Sequence, residues 1–204
     1  MNKNEMIQAI VKLEWKQFQA VQNEGGRADC QDDFETFNIM RQSQYLPWDD
    51  ELVQSYLNDL LDAESKPWNL VTEKYARMMQ STAPKEYDAL KDKLPQRSDE
   101  RLALQEKILK IRVKMEEDFA NEYPNLHTTA RLIHTSEDTP YDTSFETYCR
   151  GELGTYSDGT VKLYLSMVER LDSEGKNLSR LTLEHMVKFY GYDSIDDADK
   201  AYQN

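Results

Sequence analysis

An all-α fold, a single-domain array or bundle of about seven to nine helices with a loop-rich segment near residues 135–160, is what this 204-residue chain predicts. Three observations carry it. Apolar residues recur at helical spacing along most of the chain. Glycine is scarce, with 7 residues. No run alternates apolar and polar residues in the strand pattern.

The elements follow in order. A first helix is expected from Asn4 to Asn23, with Ile7, Ile10, Val11, Trp15, Phe18 and Val21 on one side, stopped by Gly25-Gly26. A second should start near Asp29, present Phe34, Phe37, Met40 and Tyr45, and end before Pro47. A third fits Asp49 to Ala63, with Leu52, Val53, Tyr56, Leu57, Leu60 and Leu61 inward, and a fourth runs from Trp68 to near Ser81. Pro84 and Pro95 bracket a short polar piece of one or two turns. The longest helix should run from Ser98, its N-cap, to Glu122, with Leu102, Ile108, Ile111, Met115 and Phe119 together. Thr135 to Ser144 has loop chemistry, and Ser157 to Thr160 reads as another turn. A short helix is expected between them, from Phe145 to Leu153. Val161 to Leu171, Thr182 to Tyr190 closed by Gly191, and Ser194 to Tyr202 complete the set; Ser194 and Asp197 are spaced as a capping box.

Composition narrows the function classes. With 25 Lys+Arg against 38 Asp+Glu, the formal charge is −13, which argues against a general nucleic-acid binder and against docking on anionic membranes. Twenty-one aromatics (3 Trp, 12 Tyr, 6 Phe) can build a core, so disorder is not expected. Two cysteines exclude a disulfide scaffold and a four-cysteine zinc site. No signal peptide or apolar span is read, so a cytoplasmic location with reduced thiols is expected. Neither the His-Glu-x-x-His nor the Glu-x-x-His pattern occurs, and there is no dinucleotide fingerprint, so no metal and no cofactor are expected. Homo-oligomerisation stays open.

Two charges interrupt apolar stripes. Stepping through Ile7, Val11, Glu14, Phe18 and Val21 meets a carboxylate; stepping through Cys30, Phe34, Phe37, Arg41 and Tyr45 meets a guanidinium. Glu14 lies 12 residues before Gly26 and Arg41 lies 15 after it, so antiparallel neighbours would hold them at similar height. Buried charges need partners. The pair therefore forms either a structural ion pair or the floor of a ligand site, with Glu14 orienting an arginine or acting as a base and Arg41 holding an anion, unless either residue sits at the edge of its wide stripe and reaches water. The connection supplies Glu24, Gly25, Gly26, Arg27 and Gln31 as a candidate anion cradle; an acidic first turn after a glycine cap is the plain alternative. Cys30, at a helix start, is a candidate nucleophile or a small apolar residue. His134, in line with His127 and Arg131 if that segment is helical, is a candidate acid–base group or a surface residue. Tyr148 to Glu152 mixes an aromatic, a thiol and both charges in the loop-rich zone.

The run Glu14-Trp15, Asn23 to Ala28, Cys30 to Asp33, Thr36-Phe37 and Met40 to Gln44 resembles the signature of a bacterial family known only as a domain of unknown function. The resemblance covers nearly the whole chain, with its specific part before Trp48. It implies a small soluble α-helical protein and carries no activity. The residues themselves point to an enzyme acting on a small anionic or amino-acid-like metabolite, a cofactor-independent lyase or hydrolase, with catalysis by Glu14, Cys30 and His134. The alternative is a non-enzymatic acidic interaction, regulatory or ligand-sensing protein.

Overall fold

A computed structural model describes residues 1–22 and 26–203. Among these residues every regular element is helical, and there is no strand. Eleven α-helices are present among them: α1 (Lys3–Gln19), α2 (Phe34–Tyr45), α3 (Asp50–Ser65), α4 (Leu70–Thr82), α5 (Pro84–Leu90), α6 (Asp99–Glu122), α7 (Pro124–His127), α8 (Phe145–Thr155), α9 (Asp158–Ser173), α10 (Leu178–Phe189) and α11 (Ile195–Ala201). The number exceeds the expected seven to nine because α5 and α7 each begin on a proline. Proline marks breaks in a sequence, yet it also suits the first helical position, where its missing N–H leaves no bond unmade.

Capping side chains set most starts. Ser98, Ser144, Ser157 and Ser194 each accept the N–H three residues on. Ser157 to Thr160 is therefore not a free turn but the start of α9, and α10 starts at Leu178 because Asn177 caps it. α1 ends at Gln19, before the glycines rather than at them. The amide nitrogen of Gln31 donates to the carbonyls of Phe18 (2.8 Å) and Val21 (3.3 Å), which satisfies the end of that helix. Asp29 heads only a short 3-10 turn (Asp29–Asp32); Asp33 caps α2 by accepting the Thr36 N–H. The loop-rich zone shrinks to residues 128–144, since α8 and α9 take up most of the chain from Phe145 to Ser173. Asp138 holds that loop closed through the Ser144 N–H (2.7 Å), the Ser81 hydroxyl and the Thr147 hydroxyl (2.6 Å).

The main core gathers residues from α1, α3, α6, α8 and α9 around buried rings of Tyr45, Trp48, Tyr56, Tyr156 and Tyr164. A smaller cluster of Phe119, Tyr123, Leu126, Val187, Ile195 and Ala198 joins the far end of α6 to α7, α10 and α11. Several faces are turned relative to expectation. Phe34, Met40, Leu61 and Leu102 are exposed, while Arg101 and Arg112 are buried; Arg41 and Tyr45 are buried, as their stripe implies. Arg101 takes the inward place expected of Leu102 because its guanidinium donates to the carbonyls of Leu153 (2.7 Å) and Tyr156 (3.1 Å) at the C-terminal end of α8, where carbonyls lack helical partners.

α4 and α8 pack closely along a glycine seam. A Cβ on Gly151 would stand 2.8 Å from Met78 Cγ and 3.0 Å from the Lys74 carbonyl; one on Gly154 would stand 2.5 Å from Arg77 Cδ. This approach brings the charged residues of α4 and α8 together. By contrast, Gly159 in the first turn of α9 has only Ser157 Oγ nearby, at 3.8 Å. Gly159→Ala is therefore expected to stabilise by about 0.4–1 kcal/mol, read in urea unfolding.

Candidate functional site

Glu14 and Arg41 meet inside the protein. Arg41 Nε donates to Glu14 Oε2 (2.8 Å) and Nη2 to Oε1, a two-pronged contact between α1 and α2. Glu14 is 2% exposed and Arg41 8%. The hydroxyls of Tyr45 and Tyr56 both donate to Glu14 Oε1 at 2.7 Å. Each phenol is raised far above its ordinary range, mainly by burial, so both stay protonated donors. Arg41 reaches further: Nη2 donates to Glu152 Oε1 (2.8 Å) on α8, and Nη1 to Gln44 Oε1 (2.7 Å). Gln44 in turn donates to Glu152 Oε2 (3.1 Å).

Glu152 is the third member of the network. Burial pushes its carboxyl up, but Arg41 and Lys74, with hydrogen bonds from Arg41 and Gln44, outweigh that and leave it below the usual carboxylate range. A folded pKa lower than the unfolded one gives stability above about pH 4–5 that is lost as pH falls through the folded value. Asp138, lowered by the hydroxyls and N–H around it against its burial, acts with the same sign. Unfolding free energy should decline modestly below about pH 6.5, where burial lowers the His185 pKa and the unfolded chain takes up its proton first, and fall more steeply below about pH 4, the steeper part being flattened by Glu152→Gln.

Lys74, on α4, is 6% exposed and differs from the other charges. Its ammonium donates to the Tyr148 hydroxyl (2.8 Å) and lies over the Tyr148 ring at 4.3 Å, with the Tyr75 ring at 5.3 Å. Among the described residues no carboxylate comes within ion-pair distance of it, although Glu152 acts on it through space. Burial alone would lower its pKa; Tyr148 and Glu152 reverse that, so it stays charged. Arg131 covers the same Tyr148 ring at 4.8 Å from the outside. Deeper, Arg112 is a further buried cation without an ion-pair partner among the described residues, packed over the Phe145 ring at 5.3 Å.

The other expected site residues do not join this network. Arg27 is spent on its own turn, donating to Asp32 Oδ1 (2.7 and 2.9 Å), to Gln19 Oε1 and to the Gln31 carbonyl (2.7 Å). Gln31 closes the same turn, accepting the Ala28 N–H (3.0 Å). Gly26 has φ +89°, the left-handed conformation glycine adopts freely, and is exposed. Glu24 and Gly25 lie outside the described residues. Cys30 is exposed, so it is not a core residue, and it is a free thiol. His134 stands at the start of the 128–144 loop's 3-10 turn, half exposed, 3.2 Å from Glu117. His127 and His134 do not share a helical face, because α7 stops at His127. No hydrogen bond or ion pair among the described residues links any two of Glu14, Cys30 and His134. Cys149 is buried, and its thiol is pushed up to about 12 by desolvation. A thiol reagent should label Cys30 in the native protein and Cys149 only after unfolding; native labelling of both would contradict this placement.

Lys74 is missed at the sequence level; Glu152 falls in the stretch Tyr148 to Glu152 singled out there but without its contact to Arg41, and Tyr45 and Tyr56 are expected inward but not as hydrogen-bond donors. The stripe test that finds Glu14 also finds Lys74, between Leu70 and Met78 at four-residue steps. Among the described residues no group of three or more His, Cys, Asp or Glu side chains is placed to hold a metal ion. Among them, too, no helix is long and apolar enough to cross a membrane.

Fold and site together define an all-α protein whose interior holds a connected charge network spanning four helices. The chain belongs to a family described as proteins of unknown function (DUF4125), whose model matches residues 4–200. No curated protein and no solved structure matches it.

Proposed function

We propose that the protein binds a small anionic metabolite, a carboxylate of amino-acid size, at the cationic side of the buried network, where Lys74 lies behind Tyr148 and Arg131. The observation that carries this reading is Lys74 itself, a buried, charged ammonium with one hydrogen bond and no carboxylate partner among the described residues. Such a group is costly in an interior unless a counter-charge arrives. A ligand carboxylate between Lys74 and Arg131 would supply it, and displacement of the Tyr148 ring would open the way in.

Binding without chemistry is favoured over a lyase or hydrolase. Glu14 already accepts four hydrogen bonds, which suits a fixed anion better than a base. Among the described residues, Cys30 and His134 have no bonded contact with it. Glu14, Arg41 and Glu152 then serve as the frame that fixes α1, α2 and α8 around the site.

Thermal shift with succinate, glutamate, aspartate and citrate tests the reading. At about 100 times Kd a ligand adds about 2.7 kcal/mol of stability, a shift of several degrees. Lys74→Met should fold, with some loss of stability because Glu152 loses a through-space partner, and should lose the ligand-induced shift. No shift of the unmodified protein with any of the four, or an undiminished shift in Lys74→Met, would defeat the proposal.

A further inference from the structure

A concavity lies where α3, the start of α4 and the end of α8 meet. It is a cleft of about 390 Å³, lined among others by Asp59, Asp62, Trp68, Glu73, Arg97 and Tyr156. That volume is at the lower end of the roughly 300–1,000 Å³ of small-molecule sites. Its chemistry differs from that of the buried network.

Trp68 is 39% exposed yet pinned in place. Its indole N–H donates to Glu73 Oε2 (2.6 Å). Glu73 is itself buried, with Oε1 accepting from Arg77 Nε (2.9 Å) and Nη2 (2.7 Å) and from Arg97 Nη2 (3.5 Å). Arg77 and Arg97 are anchored in turn by the carbonyls of Pro95 (2.7 Å) and Gly154 (2.7 and 3.0 Å). A large aromatic side chain is thus held rigid at a cleft wall by three layers of bonds, although burial of its own surface is incomplete. A pre-organised ring of this kind offers contact area at little entropic cost.

The charges around it are already satisfied. Asp59 Oδ2 accepts the Ser157 N–H (3.0 Å) and the Thr160 hydroxyl (2.6 Å), and Asp62 pairs with Lys66 (2.6 Å). Glu73 is neutralised by its arginines. No strong net charge remains to select an anion or a cation. Among the lining residues, Asp59 Oδ1, Asp62 Oδ1 and Arg97 Nη1 take part in none of these bonds.

We infer that this cleft binds a neutral saccharide. A pyranose presents a face of C–H groups that suits the electron-rich face of an indole. Its vicinal hydroxyls both donate and accept, matching Asp59 and Arg97. The site is separate from the one proposed for the anionic metabolite, and each can stand without the other.

Indole N–H signals of the nitrogen-15-labelled protein read the test, with N-acetylglucosamine, maltose and cellobiose as probes and succinate and choline as charged comparators. Trp68→Phe assigns the Trp68 signal by its loss. The expected result is a saturable shift of that signal with at least one of the three sugars, and an affinity reduced at least about tenfold by Asp59→Asn, read on the same signal, and by Trp68→Ala, read by titration calorimetry because that variant has no Trp68 signal. A shift with succinate or choline alone, or no shift with any probe, would overturn the assignment.

Discussion

Arg41→Met should be the most damaging single substitution in the protein, destabilising it by about 3–5 kcal/mol or preventing folding. The reason is electrostatic. Removal of the guanidinium leaves Glu14 and Glu152 both buried, each having lost its ion-pair partner. Lys74 acts on Glu152 through space, while Glu14 keeps only its tyrosine hydroxyls. Glu14→Leu should be milder, since Arg41 retains Glu152 and Gln44. The network therefore cannot be judged from the Glu14–Arg41 pair alone: Arg41→Met with Glu14→Leu still strands Glu152. The triple variant Glu14→Leu/Arg41→Met/Glu152→Leu removes all three bonded ions, leaving the Tyr45 and Tyr56 hydroxyls without their Glu14 acceptor, and replacement of a buried ionic group by apolar residues is often neutral or stabilising. Urea unfolding of the single, double and triple variants should show a loss that is largest in the single Arg41→Met and is largely recovered in the triple. A triple variant as unstable as Arg41→Met would mean that packing, rather than unpaired charge, dominates.

Gly151→Ala is expected to destabilise by about 1–3 kcal/mol. Two effects compete. Alanine favours a helix interior by roughly 0.5–1 kcal/mol over glycine. Against that, the new methyl would meet Met78 Cγ at 2.8 Å and the Lys74 carbonyl at 3.0 Å. Methionine can turn aside, but a carbonyl within α4 moves only with its helix, so overpacking wins. The same displacement would move Lys74 relative to Tyr148, and the variant should also show a weakened response to carboxylates. A melting temperature unchanged from the parent would show that α4 and α8 are not held by this contact.

How much of this was legible in the chain depends on range. Helices capped by a serine three residues before a free N–H were readable to within a residue or two, as at Ser98 and Ser194, because the signal is local. Glu14 and Arg41 were readable because each breaks an apolar stripe and a short connection makes the two helices neighbours. Glu152 was not, because its contact with Arg41 spans 111 positions and its segment carries loop-like neighbours. The inward turn of Arg101 and Arg112 was hidden for a related reason. Ile108, Met115 and Phe119 are buried as their stripe implies, and only the position of α8 draws Arg101 into the same face in place of Leu102. The cleft at Trp68 left no pattern, because its residues come from four separate segments. Glu73, which anchors it, looks like an ordinary first-turn acidic residue of α4.

The most direct test of the account is the Lys74 side-chain nitrogen itself, observed by nuclear magnetic resonance in protein labelled at lysine Nζ. A buried Lys74 should give the signal of a protonated ammonium, protected from solvent exchange at neutral pH, that disappears in Lys74→Met, and the proposed carboxylate site requires its resonance to move on addition of a small carboxylate such as succinate or glutamate. A Lys74 signal that exchanges like a surface lysine, or that stays in place through saturating concentrations of every carboxylate tried, would contradict a buried cation awaiting its counter-charge.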